Sequence, residues 1–220
     1  MRNYTKPNVG IIYKRGFDVL SAAPAFVSNH ISDFRSWSCP GMQGGDYSAP
    51  LYVYTDGIMG LQKRPNFDEG KIKVFEQVLG MKFSSEESDF EKGVFSALDV
   101  FDYIYAVMNS RKYHEKYVEF IKTDFPRVPT PRTKHTFELL CPLGAKLREL
   151  HLMNAYVPTE KTNFIGNGNS VVEKFEFKND AIYINKTQYF SGVSADIWNY
   201  YIGGYQPLQK WLKDRKNALK

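Results

Sequence analysis

Cysteine is scarce in this chain of 220 residues: Cys39 and Cys141 are the only two, and they show no C-x-x-C spacing. With the four histidines scattered just as widely, the sequence contains no recognisable pattern of metal ligands. No secretory leader is recognisable, so a reducing cytoplasm is the expected compartment. An apolar run of about eighteen residues, the length that a membrane span requires, is also missing, and we therefore expect a soluble protein.

Motifs of the common catalytic classes are missing as well. An adenine methyltransferase needs a glycine-containing loop for its methyl donor and an acid- or Asn-Pro-Pro-aromatic segment for the flipped base, and the sequence has neither. The G-x-x-x-x-G-K-[ST] loop of ATP-driven motors is also absent. The chain on its own is therefore predicted to be non-catalytic.

One short segment does have catalytic spacing. Glu176-Phe177-Lys178 matches the acid-x-lysine pattern of many metal-dependent nucleases, but such a site needs a further acid to hold Mg²⁺. The nearest one, Glu160, lies in a Pro-Thr context that is not typical of a strand end. An ordinary hairpin strand is the preferred interpretation, and a nuclease is the alternative. His151, on an apolar stripe, is interpreted as a hydrogen-bonded core residue rather than a metal ligand.

Charge and aromatic content favour a polyanionic partner bound through a limited surface. The formal net charge is +5 and the pI is about 9.0, yet 24 acidic residues accompany 29 basic ones. That mixture excludes a nonspecific cationic coat, so any nucleic-acid contact must be a patch. The 15 tyrosines and 16 phenylalanines suit binding surfaces that need an apolar body and, in tyrosine, a polar tip.

The order of elements predicts an α+β chain that forms a single domain over residues 1–220. Residues 1–60 are predicted to be strand and loop, because short apolar runs alternate with Gly, Pro and Ser. Residues 66–155 are predicted to be helical, because apolar residues recur at steps of three and four. Residues 160–216 are predicted to form a β-hairpin followed by a closing helix.

Local signals predict several boundaries. The N-terminal strands are expected at residues 9–13, 25–28 and 51–54, and the hairpin pairs residues 171–177 with 181–185. In the helical part, Asp99 is the predicted N-cap of the first helix and the second helix is predicted to stop at Phe125, before Pro126. A third helix carries a buried stripe that includes Gly144 and is expected to be kinked by Pro142.

The closing helix is expected to begin at Pro207, where a missing N–H costs nothing. Its spacing places Lys210, Lys213 and Lys216 together on one side, and Arg215 on the apolar side. Arg215 is expected to be buried against an acid or an aromatic ring.

Several blocks of the chain, in order, resemble the C-terminal specificity domain of type ISP restriction-modification enzymes and related fused methyltransferases. The longest block reads YINKTQYFSGV at residues 183–193 and DIWNYYIGGYQPLQKWLKDRK at residues 196–216. Shorter blocks are APLYVY at 49–54, KRPNF at 63–67, YIYAV at 103–107 and DFPRVP at 124–129, with further matches at Tyr113, Tyr117, Phe120, Phe137, Leu140, Gly144, Leu147, Leu150 and His151.

The resemblance implies a target-recognition domain, the C-terminal part of a longer restriction-modification polypeptide, that binds double-stranded DNA. It also implies that S-adenosylmethionine, ATP and Mg²⁺ are bound by methyltransferase and nuclease/ATPase domains outside this chain. The alternative is a structural docking module for a methyltransferase domain that touches DNA weakly and without sequence preference.

Candidate DNA-contacting residues are those able to reach base edges or phosphates from loops and from the closing helix. They are Asn29, His30, Arg35, Trp37 and Gln43 in the loop of residues 29–48, Arg127, Arg132 and Lys134 in a short basic loop, Lys161 and Asn163 in the loop of residues 160–169, and Lys210, Lys213 and Lys216 on the closing helix.

Overall fold

The computed structural model of the chain describes residues 2–15, 25–35, 44–57, 60–156, 162–201 and 206–216. These fall into two units, the first ending at Tyr156 and the second beginning at Thr162. Helices and small sheets make up both units, which confirms the predicted α+β class. The expectation of a single domain stays a prediction.

The first unit begins with a three-stranded antiparallel sheet in the order β2-β1-β3, and the predicted strands at 9–13 and 25–28 are confirmed. Its strands are β1 (Gly10–Tyr13), β2 (Ala25–Ser28) and β3 (Tyr47–Pro50). Tyr13 pairs with Ala25 and Tyr47 at one end of the sheet, and Gly10 pairs with Ser28 and Pro50 at the other. The loop predicted for residues 29–48 therefore ends two residues earlier, at residue 46, because Tyr47 already belongs to β3.

A two-stranded hairpin follows, formed by β4 (Tyr52–Gly57) and β5 (Gly60–Pro65). The strand predicted at 51–54 lies largely in β4. Its partner was not predicted, because β5 reads GLQKRP and is almost wholly exposed, so no apolar alternation marks it.

Helices dominate the rest of the first unit, as predicted for residues 66–155. The elements are α1 (Glu69–Leu79), β6 (Lys82–Ser84), β7 (Val94–Ser96), α2 (Ala97–Met108), α3 (Arg111–Ile121) and α4 (Lys134–His151), with β6 and β7 forming a short parallel pair.

Phe137 on α4 lies at the centre of an aromatic core. Its ring centroid is 5.7 Å from that of Phe95, 5.5 Å from that of Tyr103 and 6.0 Å from that of Phe75. Phe95 and Phe137 have no exposed surface. Emptying such a site costs about 3–5 kcal/mol for Phe→Ala, so this cluster contributes strongly to the stability of the helical part.

The helices α2 and α4 touch backbone to backbone at Gly144. A Cβ atom placed on Gly144 would lie 1.9 Å from the carbonyl oxygen of Asp102, so only glycine allows this approach. One turn further along, Arg148 donates from Nε and Nη2 to the two carboxylate oxygens of Asp102, at 2.7 and 3.1 Å. Burial raises the pKa of Asp102 despite this partner. The predicted burial of Gly144 on the α4 stripe is confirmed.

Two helix boundaries differ from the predictions. Ser96, not Asp99, caps α2: its hydroxyl accepts from the Asp99 N–H, and the Asp99 carboxylate accepts from the Ser96 N–H, which makes Asp99 the third residue of a capping box. The helix α3 ends at Ile121, before Phe125. The chain continues to turn just beyond it, since the Phe120 carbonyl accepts from the backbone N–H groups of Thr123 and Asp124 and also from the Thr123 hydroxyl.

The second unit contains a four-stranded antiparallel sheet in the order β8-β11-β10-β9 and two helices. Its elements are β8 (Asn163–Ile165), β9 (Glu176–Lys178), β10 (Ala181–Tyr183), β11 (Tyr189–Ser191), α5 (Ala195–Trp198) and α6 (Pro207–Arg215). Pro207 opens α6 as predicted.

The predicted hairpin is present as β9 and β10. Asn179 and Asp180 connect the strands with φ values of 52° and 51°, the left-handed pair typical of a tight hairpin turn. Residues 171–175 were wrongly included in its first strand, which is limited to Glu176–Lys178, although the Glu173 N–H still donates to the carbonyl of Ile184 at 2.9 Å. Ile182 aligns with Phe190 and Phe177 on one face, over the core that includes Leu212 of α6.

Within the described ranges, no helix has both the length and the apolar character needed to cross a bilayer.

Candidate nucleic-acid interface

Three aromatic rings meet at one end of the three-stranded sheet. Tyr13 and Tyr47 are paired residues of β1 and β3, and their ring centroids lie 5.9 Å apart in a stacked arrangement. The ring of Phe125, from the segment after α3, packs edge-on against both, at 5.9 Å from Tyr13 and 4.9 Å from Tyr47. The sheet end and the segment between α3 and α4 therefore form one surface.

One arginine contacts these rings and another follows Phe125 closely in the chain. The guanidinium carbon of Arg15 lies 5.9 Å from the Phe125 ring centroid, within cation–π range. Arg127, two residues after Phe125, donates from Nη2 to the Asp124 carboxylate at 2.9 Å and leaves 86% of its side chain exposed. The Phe125 backbone N–H, followed by Arg127, holds the pKa of Asp124 below its usual value.

Arg35 reaches the same end of the sheet by way of a backbone contact. The N–H of Asp46, next to Tyr47, donates to the carbonyl of Phe34 at 2.7 Å, which places Arg35 beside the start of β3. We call the surface formed by Arg15, Arg35 and Arg127 around the aromatic rings the arginine end. It presents exposed cations on a rigid aromatic base, which suits contact with phosphates and base edges.

Buried groups hold the arginine end in place from below. Lys14 and Asp46 form an ion pair of 2.8 Å in which both side chains are 1% exposed, tying the end of β1 to the start of β3. The Tyr113 hydroxyl donates to the carbonyl of Arg127 at 3.1 Å, and the Tyr103 hydroxyl donates to the carbonyl of Pro129 at 2.9 Å. Burial raises the pKa of both tyrosines, that of Tyr103 to about 12, so both hydroxyls stay protonated donors at neutral pH.

The candidate residues in the loop of residues 29–48 do not lie together in the structure. Asn29 and His30 follow Ser28, at the end of the sheet opposite the arginine end, and the Ser28 hydroxyl accepts from the His30 N–H. Of the residues predicted together with them, only Arg35 is placed at the arginine end. Trp37 and Gln43 lie outside the described residues.

The basic loop before α4 keeps Arg132 and Lys134 exposed. Lys134 begins α4, and its Nζ lies 3.5 Å from the Glu138 carboxylate one turn later. Arg127 pairs with Asp124 at the end of α3 and is nevertheless 86% exposed, so its guanidinium is accessible to a phosphate.

On α6 the three nominated lysines are not equivalent. Lys210 is held by Asp214, with Nζ to carboxylate oxygen distances of 2.8 and 2.9 Å. Lys213 and Lys216 are exposed and have no acidic partner within the described part of the chain. Lys213 and Lys216 are thus the better phosphate candidates on this helix.

Arg215 was expected to be buried, and that prediction is wrong. It is exposed, with its guanidinium 3.7 Å from the centroid of the Trp211 ring, itself 45% exposed. The expected aromatic partner is present, but at the surface: the residue of α6 that is buried here is the neighbouring Leu212, which is 2% exposed.

Part of the loop nominated at residues 160–169 is a strand. Asn163 begins β8, the edge strand paired with β11, where Asn163 aligns with Ser191. All three residues of β8 are exposed, which is why no apolar pattern revealed it. Lys161 lies outside the described residues.

Glu176 and Lys178, the acid-x-lysine pair, are exposed on β9. Across the described ranges, no three His, Cys, Asp or Glu side chains come together to hold a metal. The Nδ1 of His151 and the hydroxyl of the buried Tyr105 are hydrogen-bonded to each other, which confirms the hydrogen-bonded part of the prediction, and partial burial lowers the pKa of His151. The expected place in the core is wrong, because His151 is exposed at the end of α4. Cys141 is a buried free thiol.

Sequence reasoning missed Arg15 and the aromatic rings beside it. Arg15 follows the short apolar run that ends at Tyr13, so its position past a strand end was visible. Its proximity to Phe125, more than a hundred residues away, depends on tertiary contacts that no local pattern encodes.

Comparison with known families gives one match, which spans the entire chain: the model of the type ISP C-terminal specificity domain matches residues 1–220. No curated protein sequence matches the chain.

Solved structures with a similar fold include three protein–DNA complexes. The chain is similar to the ATP-dependent type ISP restriction-modification enzyme LlaBIII bound to DNA, with a TM-score of 0.63 and 18% identity over 95% of this chain and 13% of that one. For the DrdV–DNA complex the TM-score is 0.66, with 19% identity over 97% and 20%. For a nuclease-deletion mutant of the type ISP enzyme LlaGI with a DNA substrate mimic, it is 0.55, with 20% identity over 94% and 17%. The chain thus spans at most a fifth of these larger proteins.

Proposed function

Because this chain belongs to the type ISP C-terminal specificity domain family, we propose that it selects the target sequence in double-stranded DNA for a larger restriction-modification enzyme. The arginine end is the observation that supports this function at residue level. It combines exposed guanidinium groups, which suit bidentate contact with guanine, with a backbone pinned by buried side chains. A reader of base edges needs both features, since phosphate contacts alone carry no sequence information.

The domain is proposed to contribute recognition and no chemistry. Methyl transfer to adenine and DNA cleavage are assigned to methyltransferase and nuclease/ATPase domains of the same polypeptide or complex. S-adenosylmethionine, ATP and Mg²⁺ are proposed to bind there rather than in this chain. The cytoplasm, where DNA substrates and free thiols such as that of Cys141 coexist, is the proposed compartment.

The surroundings of each basic side chain indicate whether it contacts bases or phosphates. Arg15 and Arg35 are proposed to read bases from the arginine end, while Lys213 and Lys216 bind phosphates from α6. Arg127 is held by Asp124 and is proposed to bind a phosphate beside the reading surface.

Selection from a randomised duplex pool tests the proposal. Wild type should enrich a motif, Arg35→Ala should relax preference at one or two of its positions, and Lys213→Ala should weaken all sequences alike. Each good bidentate contact discriminates by about 1–3 kcal/mol, so the relaxed positions should lose most of their enrichment. Arg111→Ala is the matched control, because Arg111 is an exposed arginine on α3 that pairs with Glu115.

A docking module is the second candidate, and the outer face of α4 favours it. Leu139 and Leu143 are 55% and 60% exposed, one turn apart, on the side of α4 opposite Phe137. Such a pair suits burial against another protein domain. Wild type that binds duplex DNA but enriches no motif at low salt would select this function over target recognition.

A further inference from the structure

The second unit contains a cavity of about 410 Å³ beside its sheet and α6. Val172 and Ile184, 6% and 2% exposed, form its floor. Its walls are aromatic. Phe164 and Phe190 are aligned on neighbouring strands with ring centroids 4.9 Å apart, and Trp211 of α6 forms a further part of the wall. Phe164 and Trp211 are each 45% exposed, so the cavity opens to solvent.

Arg215 lies at the rim of this cavity, held in one orientation. Its guanidinium stacks on Trp211, and its Nη1 donates to the Trp211 carbonyl at 3.2 Å. The other N–H groups of this guanidinium have no partner in the described part of the chain, so they can bind an anion. Lys213 and Lys216 on the same helix add positive charge without acidic partners there.

We propose that this cavity binds one unstacked nucleotide of the bound DNA, with the base against Phe164, Phe190 and Trp211 and a flanking phosphate at Arg215. The inference deepens the proposed DNA-binding function and rests on it. Aromatic side chains stack on unpaired bases regardless of identity, and a cationic rim favours the backbone that carries them. An uncharged apolar side chain of a protein partner would fit the walls but would leave the cations of α6 unused.

The chemistry of the lining residues also predicts that the cavity does not distinguish one base from another. Among the described lining residues, the side chains with hydrogen-bonding groups are those of Ser170, Trp211 and Arg215, and the Arg215 guanidinium is assigned to the phosphate. Bases are discriminated by hydrogen bonds to their edges, so the cavity should accept any base. Its preference is for a base that is already unpaired, because extrusion from an intact duplex costs free energy.

The test compares a fully paired duplex with the same duplex carrying a single bulged thymidine, both titrated by fluorescence anisotropy. Wild type should bind the bulged duplex more tightly. Trp211→Ala should reduce affinity for the bulged duplex roughly 5- to 150-fold, the range of one base–aromatic stack, and affinity for the paired duplex less. Trp211→Phe should retain most of the preference.

Arg215→Ala provides an independent arm, since its exposed side chain is not needed for the core. It should lower affinity for the bulged duplex, with Lys210→Ala, whose ammonium is already held by Asp214, as the control for lost charge. 2-Aminopurine placed at the bulge should be quenched by wild type and not by Trp211→Ala.

Equal affinity of wild type for the two duplexes, or equal losses on both with Trp211→Ala, would overturn the nucleotide site while leaving target recognition intact. Absence of any duplex binding by wild type would instead remove the proposed function together with this inference.

Discussion

Gly144→Ala tests the close contact of α2 and α4 with the smallest possible change. The added methyl group would meet the Asp102 carbonyl oxygen at 1.9 Å, whereas real Cβ atoms essentially never approach another atom within 3.0 Å. The obstacle is backbone and cannot rotate away. The helices must therefore separate by roughly 1 Å, which also strains the Arg148–Asp102 ion pair one turn away.

The expected cost follows from two opposing effects. Overpacking a core costs about 1–3 kcal/mol, and the rigid obstacle argues for the upper part of that range. Alanine is favoured over glycine inside a helix by about 0.8–1.0 kcal/mol, which offsets part of it. We expect a net loss of about 2 kcal/mol, which at a urea m-value of about 1–3 kcal/mol per molar lowers the unfolding midpoint by roughly 1 M.

Urea unfolding followed by circular dichroism measures this shift. Gly70→Ala is the matched control, because Gly70 is exposed on α1 and its added Cβ would meet only the Asp68 side chain, at 3.1 Å. The same substitution there should be neutral or should raise the midpoint. A midpoint for Gly144→Ala equal to that of wild type would refute the backbone contact between α2 and α4.

The remaining predictions concern charge. Replacing Lys213 and Lys216 together with alanine should lower the slope of log affinity against log salt by about two, while Lys210→Ala should change it less, as measured by anisotropy between low and moderate salt. Lys14→Met should cost about 3–5 kcal/mol in urea unfolding, because it removes the cation of a buried ion pair with Asp46, and a loss below about 1 kcal/mol would contradict that burial. Burial lowers the pKa of His151 in the folded state, so the unfolded state binds the extra proton and the free energy of unfolding should fall as the pH drops below about 6.5. His151→Gln should flatten this pH dependence of stability. An unchanged pH profile for His151→Gln would argue against a contribution from His151.

Where apolar residues repeat with a clear period, the sequence predicts the structure well. The stripe of α4 and the hairpin turn at Asn179 and Asp180 are examples, since burial on one face or a left-handed turn selects a particular residue type. The strands β5 and β8 escaped prediction for the converse reason: all of β8 and most of β5 is exposed, and only their backbone pairing makes them strands.

Prediction of the site was limited by distance along the chain. Arg35 was nominated from the loop of residues 29–48 and Arg127 from a short basic loop, yet the structure brings both segments to the end of the sheet where Arg15 lies. The contact that joins them, Tyr47 against Phe125, is a tertiary packing event with no local signature. Likewise, the stacking of Arg215 on Trp211 depends on how far α6 is embedded, which spacing on the helix does not give.

Lys14 and Arg15 are adjacent in the chain, but the Lys14 side chain is buried in the protein and the Arg15 side chain lies at its surface. A saturation library across this stretch should therefore show an abrupt boundary. Variants at residue 14 should be limited by the amount of folded protein, whereas variants at residue 15 should accumulate normally and differ in the DNA they select. New sequence specificities could then be sought by changing exposed side chains such as Arg15 alone, while the buried ion pair of Lys14 and Asp46 is kept unchanged.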